Sequence, residues 1–366
     1  MPGCQREISE ADEAFVNIAT MDKLRILLVG SGGVGTMAAY ALETGGMAEV
    51  TAVLRSNYDI VQERGFSIDS IEHGKGITGF RPAHIRNTVP DVKKGGMFPY
   101  DYIVVSTKNI PDISPTVLDL ISPAVHLGTT VILLLQNGIN IEKPIVEAFP
   151  DNVVLSGVSI ISASEPMAGH ILHEFRDDVK IGPFPRPSAS ADVQGRGAEA
   201  ANDFIKAYNA CGKVHAHSDE DVLFTRWRKL VYNASFNPIS AILGIGVITM
   251  RKTHFLITTL ILPLMNEVIA IAAAAGVRLP DSVAQDMITT DPVDDDFLPS
   301  MGQDAAKGQC MEVEVIVGEA VREAARLGVK VEILPTIYAL LRGMQTKTKV
   351  ARGLQNLRFG EDNPYG

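Results

Sequence analysis

The chain has 366 residues, 46% of them hydrophobic, which is enough for two domains with full cores and too apolar for general disorder. Its net charge is −10 and it has no basic run, which argues against a nucleic-acid partner. Cys4, Cys211 and Cys310 lie far apart, with neither metal-ligand spacing nor a disulfide framework, so no metal site is expected and a reducing, cytoplasmic setting fits.

Residues 1–22 carry Glu7, Glu10, Asp12 and Glu13 and no long apolar run, and read as a flexible extension rather than a secretory or mitochondrial leader. An apolar run of strand length, Leu24 to Val29, then meets Gly30-Ser31-Gly32-Gly33-Val34-Gly35 and an alanine-rich helical stretch. That strand, turn and helix order is the context a dinucleotide fingerprint requires. Gly30 permits the tight turn, Gly32 leaves room for a pyrophosphate beside the backbone, and Gly35 lets the helix pack on the strand. The helix start offers free N–H groups and a positive dipole end to phosphates.

Residues 50–54 read as a second strand that delivers Arg55 where an acid would select the ribose of NAD. A guanidinium suits a 2′-phosphate instead, so NADPH/NADP+ is the expected cofactor. Two further apolar strands, residues 102–105 and 131–135, bring Lys108 and Gln136-Asn137-Gly138 to the crevice beyond the carboxyl ends of a parallel sheet. Short β-like runs at 155–161, 169–173 and 179–181 read as antiparallel additions, with His170 and His173 structural or on the surface. Residues 183–197, rich in Pro, Ser and Gly, read as an exposed loop before a helix that ends at Gly212.

Near Ser218 the pattern turns helical. The expected fold class is α/β: a Rossmann-like NADP-binding domain (23–217), an all-helical substrate and catalytic domain (218–350) and a tail (351–366). The apolar stretch 255–277 is interrupted by Pro263, Asn266 and Glu267, and reads as a buried helix rather than a membrane span. Lys229, Asn233 and Asn237 follow one another at four-residue spacing and would share one face of an otherwise apolar helix, where buried polar groups call for a polar ligand. Glu312 and Glu314 sit among apolar residues; a glutamate there either partners a buried cation or faces solvent, and Glu314 reads as a surface residue.

With Gly30-x-Gly32-x-x-Gly35, Lys108, Gln136-Asn137-Gly138, Trp227-Arg228-Lys229-Leu230-x-x-Asn233-x-x-x-Asn237-Pro238, and Ser300-Met301-x-Gln303-Asp304 followed by Glu312, the chain resembles the ketopantoate reductase (2-dehydropantoate 2-reductase) family. The resemblance implies NADPH-dependent reduction of 2-dehydropantoate to (R)-pantoate on the route to pantothenate and coenzyme A. It implies catalytic roles for Lys229 and Glu312 as a lysine and its acidic partner. It puts Gly30, Ser31, Gly32, Gly33, Val34, Gly35, Arg55, Lys108 and Asn137 at the cofactor, with Arg55 and Lys108 near its phosphates, and Asn233, Asn237 and Ser300 at the substrate. The chain departs from the family pattern at Met311, Val313, Glu314, Val317 and Glu332, which bears on the pocket wall and leaves the catalytic pair intact.

The chemistry follows from the residues as well. An alkoxide forming at a reduced ketone needs a positive charge and a proton, and a lysine whose pKa is lowered by burial supplies both. The alternatives are a reductase of another branched 2-keto acid and a non-catalytic NADP-binding sensor, which would have no use for the Lys229 and Glu312 pair. The expected partner is a small 2-keto acid, without nucleic acid or membrane, and a homodimer through the helical domain is compatible with this organisation.

Overall fold

The computed structural model describes residues 23–94 and 98–359; the extension read at 1–22, with Cys4 in it, and residues 360–366 of the tail lie outside the described residues. β1 (Leu24–Val29) is aliphatic, and its residues alternate between two cores, Ile26 and Leu28 on one face of the sheet, Leu27 and Val29 on the other. α1 (Gly33–Thr44) covers the first face with Met37, Ala38, Ala41 and Leu42. The chain continues through β2 (Ala48–Val53), α2 (Tyr58–Arg64), β3 (Phe66–Ser70), β4 (Gly74–Phe80), β5 (His84–Arg86), β6 (Tyr102–Val105), α3 (Val117–Ile121), β7 (Val131–Leu134), α4 (Lys143–Ala148) and β8 (Val154–Met167).

Strands β5, β2, β1, β6, β7 and β8 lie side by side and parallel, which is the doubly wound dinucleotide-binding order. The strand order reverses between β1 and β6, so the ligand crevice is set beyond their carboxyl ends. β9 (His170–Pro183) returns antiparallel to β8 as a long hairpin. The three short runs read from the sequence are thus two 14-residue strands. β3 and β10 (His215–Ser218) pair with opposite ends of β9, and α5 (Ala191–Asn209) packs on β9 and β10. The exposed loop expected over 183–197 shrinks to the residues before Ala191, because Ser190 caps α5 by accepting the Val193 N–H at 3.3 Å. Gly197, which suggested a loop, instead lets α5 approach β9: a Cβ there would lie 2.8 Å from the Pro183 Cβ.

The helical half comprises α6 (Val222–Asn233), α7 (Phe236–Leu243), α8 (Val247–Lys252), α9 (Leu262–Ala274), α10 (Val283–Thr289), α11 (Ser300–Ala306), α12 (Glu319–Leu327) and α13 (Ile333–Ala351). Lys229, Asn233 and Asn237 do not share one helix. Pro238 has no N–H, and its ring would strike the Ala234 carbonyl in a continuous helix, so the chain breaks between α6 and α7 and Ser235 Oγ bonds back to Val231 O at 2.6 Å.

The apolar stretch is long enough to cross a membrane by length and composition, at mean hydropathy 1.8 over Ile257–Ala274, yet only 33% of that window is buried. Ile261, Leu264, Met265, Val268 and Ile271 enter the core, while Thr258, Thr259 and Asn266 are exposed, so the buried-helix expectation is corrected to a one-sided one. Glu267 in its middle accepts the N–H groups of Glu332, Ile333 and Leu334 at 2.7, 2.9 and 2.8 Å. These are the orphan donors at the start of α13, which has no side-chain cap of its own.

Candidate active site

β1 ends at Gly30, whose φ of +105° favours glycine and where a Cβ would lie 2.5 Å from Thr107 N. At Gly35 a Cβ would lie 2.0 Å from Gly30 O, so only glycine lets α1 stand this close to the strand. Gly33 is pressed the same way against β8, 2.2 Å from Ala163 O. Gly32 is the opposite case, since a Cβ there meets nothing within 4 Å. It forms the N-cap of α1 with no side-chain cap, so the N–H groups of Gly33, Val34 and Gly35 stand at the open side of the turn, where a pyrophosphate fits. Ser31 Oγ donates to Val53 O at 3.3 Å, and Ser31 O accepts from Asn57 Nδ2 at 2.9 Å, which ties the turn to the end of β2. Arg55 stands exposed just beyond, and the described contacts engage its guanidinium in no ion pair. Arg86, which the sequence reading passed over, reaches the same edge because β5 pairs Arg86 with Val53.

On the helical side, Lys229 Nζ donates to Asn137 Oδ1 at 3.0 Å and to Ser159 O at 2.5 Å. Asn137 Nδ2 donates to Glu312 Oε2 at 3.2 Å, and Glu312 Oε1 accepts the Asn109 N–H at 2.9 Å. The partnership of Lys229 and Glu312 that the resemblance implies runs here through the asparagine amide, its acceptor end on the ammonium and its donor end on the carboxylate. Burial, and then the positive charge of Arg226, push the Lys229 ammonium down to about 8, with Glu312 opposing. Protonated at neutral pH and close to losing that proton, it has the pKa that general-acid chemistry requires.

Lys108, which the resemblance puts near the cofactor phosphates, sits beside two carboxylates of the helical half. Its Nζ lies 2.7 Å from Asp304 Oδ2 and 4.0 Å from Glu312 Oε2. Burial opposes its charge, but Glu312 and Asp304 outweigh that and hold its pKa above the usual lysine value.

Asn233 lines a small cleft together with Gln136, Asn137, Val158, Lys229 and Leu230. Asn237 is 2% exposed, and its Nδ2 lies 3.5 Å from Ser300 Oγ. The two come together because α11 presses on α7 through Gly302, where a Cβ would lie 2.4 Å from Ser240 Oγ. Gln136 Nε2 donates to Thr107 O at 2.7 Å, which fixes the amide so that Oε1 is a buried acceptor without a donor; Asn237 Oδ1 is another. Unpaired buried acceptors carry a desolvation penalty that donors of a bound ligand relieve.

A larger cavity, of about 310 Å³, lies between β8, β9 and the start of α5, lined by Val153, Pro183, Phe184, Val193 and others. It contains none of these groups, so chemistry places the site at the smaller cleft. Among the described residues no group of three or more His, Cys, Asp or Glu could hold a metal ion.

The sequence reading also missed Arg226 and Glu142, both buried, whose side chains meet at 2.6 Å behind the Asn137 turn. A signal existed: Arg226 is four residues from both Val222 and Leu230, on the face of α6 that is otherwise apolar.

A doubly wound dinucleotide sheet, an open glycine turn and a half-buried lysine aimed at the strand ends define the nicotinamide-dependent oxidoreductase class. Comparison with known proteins narrows this. The model of the ketopantoate reductase PanE/ApbA family matches residues 26–186, and the model of its C-terminal domain matches residues 221–345. An uncharacterised protein of Saccharomyces cerevisiae is 37% identical over 359 residues, covering 92% of this chain and 97% of its own. The crystal structure of 2-dehydropantoate 2-reductase from Methylococcus capsulatus superposes with TM-score 0.74 at 30% identity, over 89% of this chain and 98% of that one. D-mandelate dehydrogenase, solved with NADH and anilino(oxo)acetate, shares the fold with TM-score 0.75 at 21% identity, over 89% and 99% of the two chains. The chain belongs to the ketopantoate reductase family.

Proposed function

We propose that this chain reduces 2-dehydropantoate to (R)-pantoate with NADPH. The observation that carries the reading is the Lys229 ammonium, pushed down to about 8 and held by Asn137 beside Glu312 at the carboxyl ends of the parallel strands. A reduced nicotinamide bound there supplies hydride to the ketone carbon. Lys229 Nζ gives a proton to the oxygen that becomes the hydroxyl, Asn137 keeps the ammonium aimed, and Glu312 balances its charge. Asn233, Asn237 and Ser300 hold the substrate carboxylate and hydroxyl with neutral groups. Arg55 takes the 2′-phosphate.

The residues that depart from the family pattern each have other structural work. Val317 and Val313 are in the core, Met311 exchanges backbone hydrogen bonds with Gln345, Glu314 binds Arg322 and Tyr338, and Glu332 precedes α13. None of them lines the small cleft. The fold shared with D-mandelate dehydrogenase keeps a second reading open, a different 2-keto acid or NADH.

The test is steady-state oxidation of NADPH and of NADH with 2-dehydropantoate and a panel of branched and aryl 2-keto acids. The highest kcat/KM is expected for 2-dehydropantoate with NADPH. A higher value for another acid would move the substrate, and no turnover with any of them would remove the enzymatic reading.

A further inference from the structure

Arg226 and Glu142 form the most deeply buried ion pair among the described residues, with side chains 3% and 0% exposed. The arginine is bound on every side. Its Nε lies 2.6 Å from both Ser156 Oγ and Glu142 Oε1, and its Nη1 donates to Gln136 O at 2.9 Å and to Gly138 O at 3.1 Å. Those carbonyls flank Asn137, the residue whose amide receives Lys229. Val315 O grips the same turn from the other side by accepting the Ile139 N–H at 3.2 Å, and Gly138, at φ +100°, leaves room for it. Arg226 also stands three residues before Lys229 on α6, so two cations of one helix converge on three consecutive residues.

We propose that Arg226, locked by Glu142, is a positioning residue for the reaction: it fixes the turn that holds Asn137 against Lys229 and sets a permanent positive charge beside the proton that Lys229 gives up. This rests on Lys229 as the proton donor of the proposed reduction. Arg226 is the second cause, after burial, that lowers Lys229 to about 8. The other groups facing Lys229 cannot replace it. Glu312 acts in the opposite direction with Lys108 and Asp304 behind it, β8 offers only the Ser159 carbonyl, and the turn offers only the Asn137 amide. Glu142 makes no directed hydrogen bond; the arginine charge alone compensates its carboxylate, so the pair stands or falls together.

The experiment compares Arg226→Lys, Arg226→Met and the double variant Arg226→Met/Glu142→Leu, the last leaving no unpaired buried charge. Two readouts are taken on the full chain: the pH midpoint of Lys229 acetylation by limiting acetic anhydride, scored by peptide mass spectrometry, and the pH profile of kcat. Arg226→Met and the double variant should move both midpoints upward by roughly one unit, because a neighbouring like charge is gone. Arg226→Lys should keep the midpoints and lower kcat about ten-fold, since an ammonium cannot span both carbonyls. Folded Met-containing variants with an unmoved acetylation midpoint would overturn the proposal, and so would wild-type kcat in Arg226→Lys. The acetylation midpoint needs no turnover. Shifted midpoints in a chain that reduces no 2-keto acid would therefore sink the proposed reaction and leave standing only the part of the proposal in which Arg226 sets the Lys229 proton affinity.

Discussion

At the carboxyl ends of β6 and β7 the chain buries Arg226, Glu142, Glu312 and Asp304 around a half-buried Lys229; between β3, β9 and α5 it buries His173, Asp177 and Tyr208, with Glu72 and His73 alongside. The second group is as tightly bonded as the first. Tyr208 Oη donates to Asp177 Oδ2 at 2.6 Å, Ser70 Oγ meets His173 Nδ1 at 2.8 Å, and the Asp177 N–H donates to Glu72 Oε2 at 3.0 Å. Burial drives Asp177 up to about 6 and His73 down to about 4, so both are pushed toward their neutral forms. Around Lys229 burial and the like charge of Arg226 also push the ammonium toward its neutral form, with Glu312 opposing, but here Lys229, Asn137 and Asn233 converge on a cleft with an unpaired acceptor, Gln136 Oε1. A displaced pKa therefore marks burial; convergence on a cleft is what marks chemistry.

Substitutions should separate the two regions sharply. The largest effect is expected from Lys229→Ala, which should lower kcat about 10²–10⁴-fold while NADPH binding, read by fluorescence, persists. Arginine should not rescue it, because a guanidinium keeps its proton near neutral pH. Asn237→Ala and Ser300→Ala should each raise the substrate KM roughly ten-fold with cofactor binding intact, and unchanged KM in both would place the substrate elsewhere. Arg55→Ala should weaken NADPH about ten-fold and leave NADH nearly unaffected in the same titration; equal losses would free Arg55 of its role.

Asp177→Asn should leave kcat alone and act on stability only. The folded state holds the Asp177 proton up to about 6, against 3.8 when unfolded, so the aspartate loses stability as pH rises through that window. The asparagine chain should melt at a higher temperature than the wild type near neutral pH and show no such advantage below the window. A changed kcat would mean that the sheet corner reports to the active site after all.

The glycine turn, the parallel strands and Lys229 were legible because they depend on local pattern: strand-length apolar runs, glycines where a Cβ would collide, a cation among apolar residues. What was not legible is non-local. The break before α7 comes from a proline read as part of a motif rather than as a lost N–H. The role of Glu267 depends on α13, some sixty-five residues later in sequence. β5 has only three residues, too few to show a period. Asn137 as the link between Lys229 and Glu312, and Lys108 turned toward Asp304, depend on how the two halves of the chain meet.

The central claim is that Lys229 is the proton donor, and the pH dependence of kcat tests it most directly. In the reducing direction kcat should be level in the acid range and fall above about 8, as the ammonium is lost, while oxidation of the hydroxy acid rises through the same value. The alkaline limb should vanish from the residual activity of Lys229→Ala. A wild-type profile with no break there, or a limb that survives in Lys229→Ala, would contradict the account.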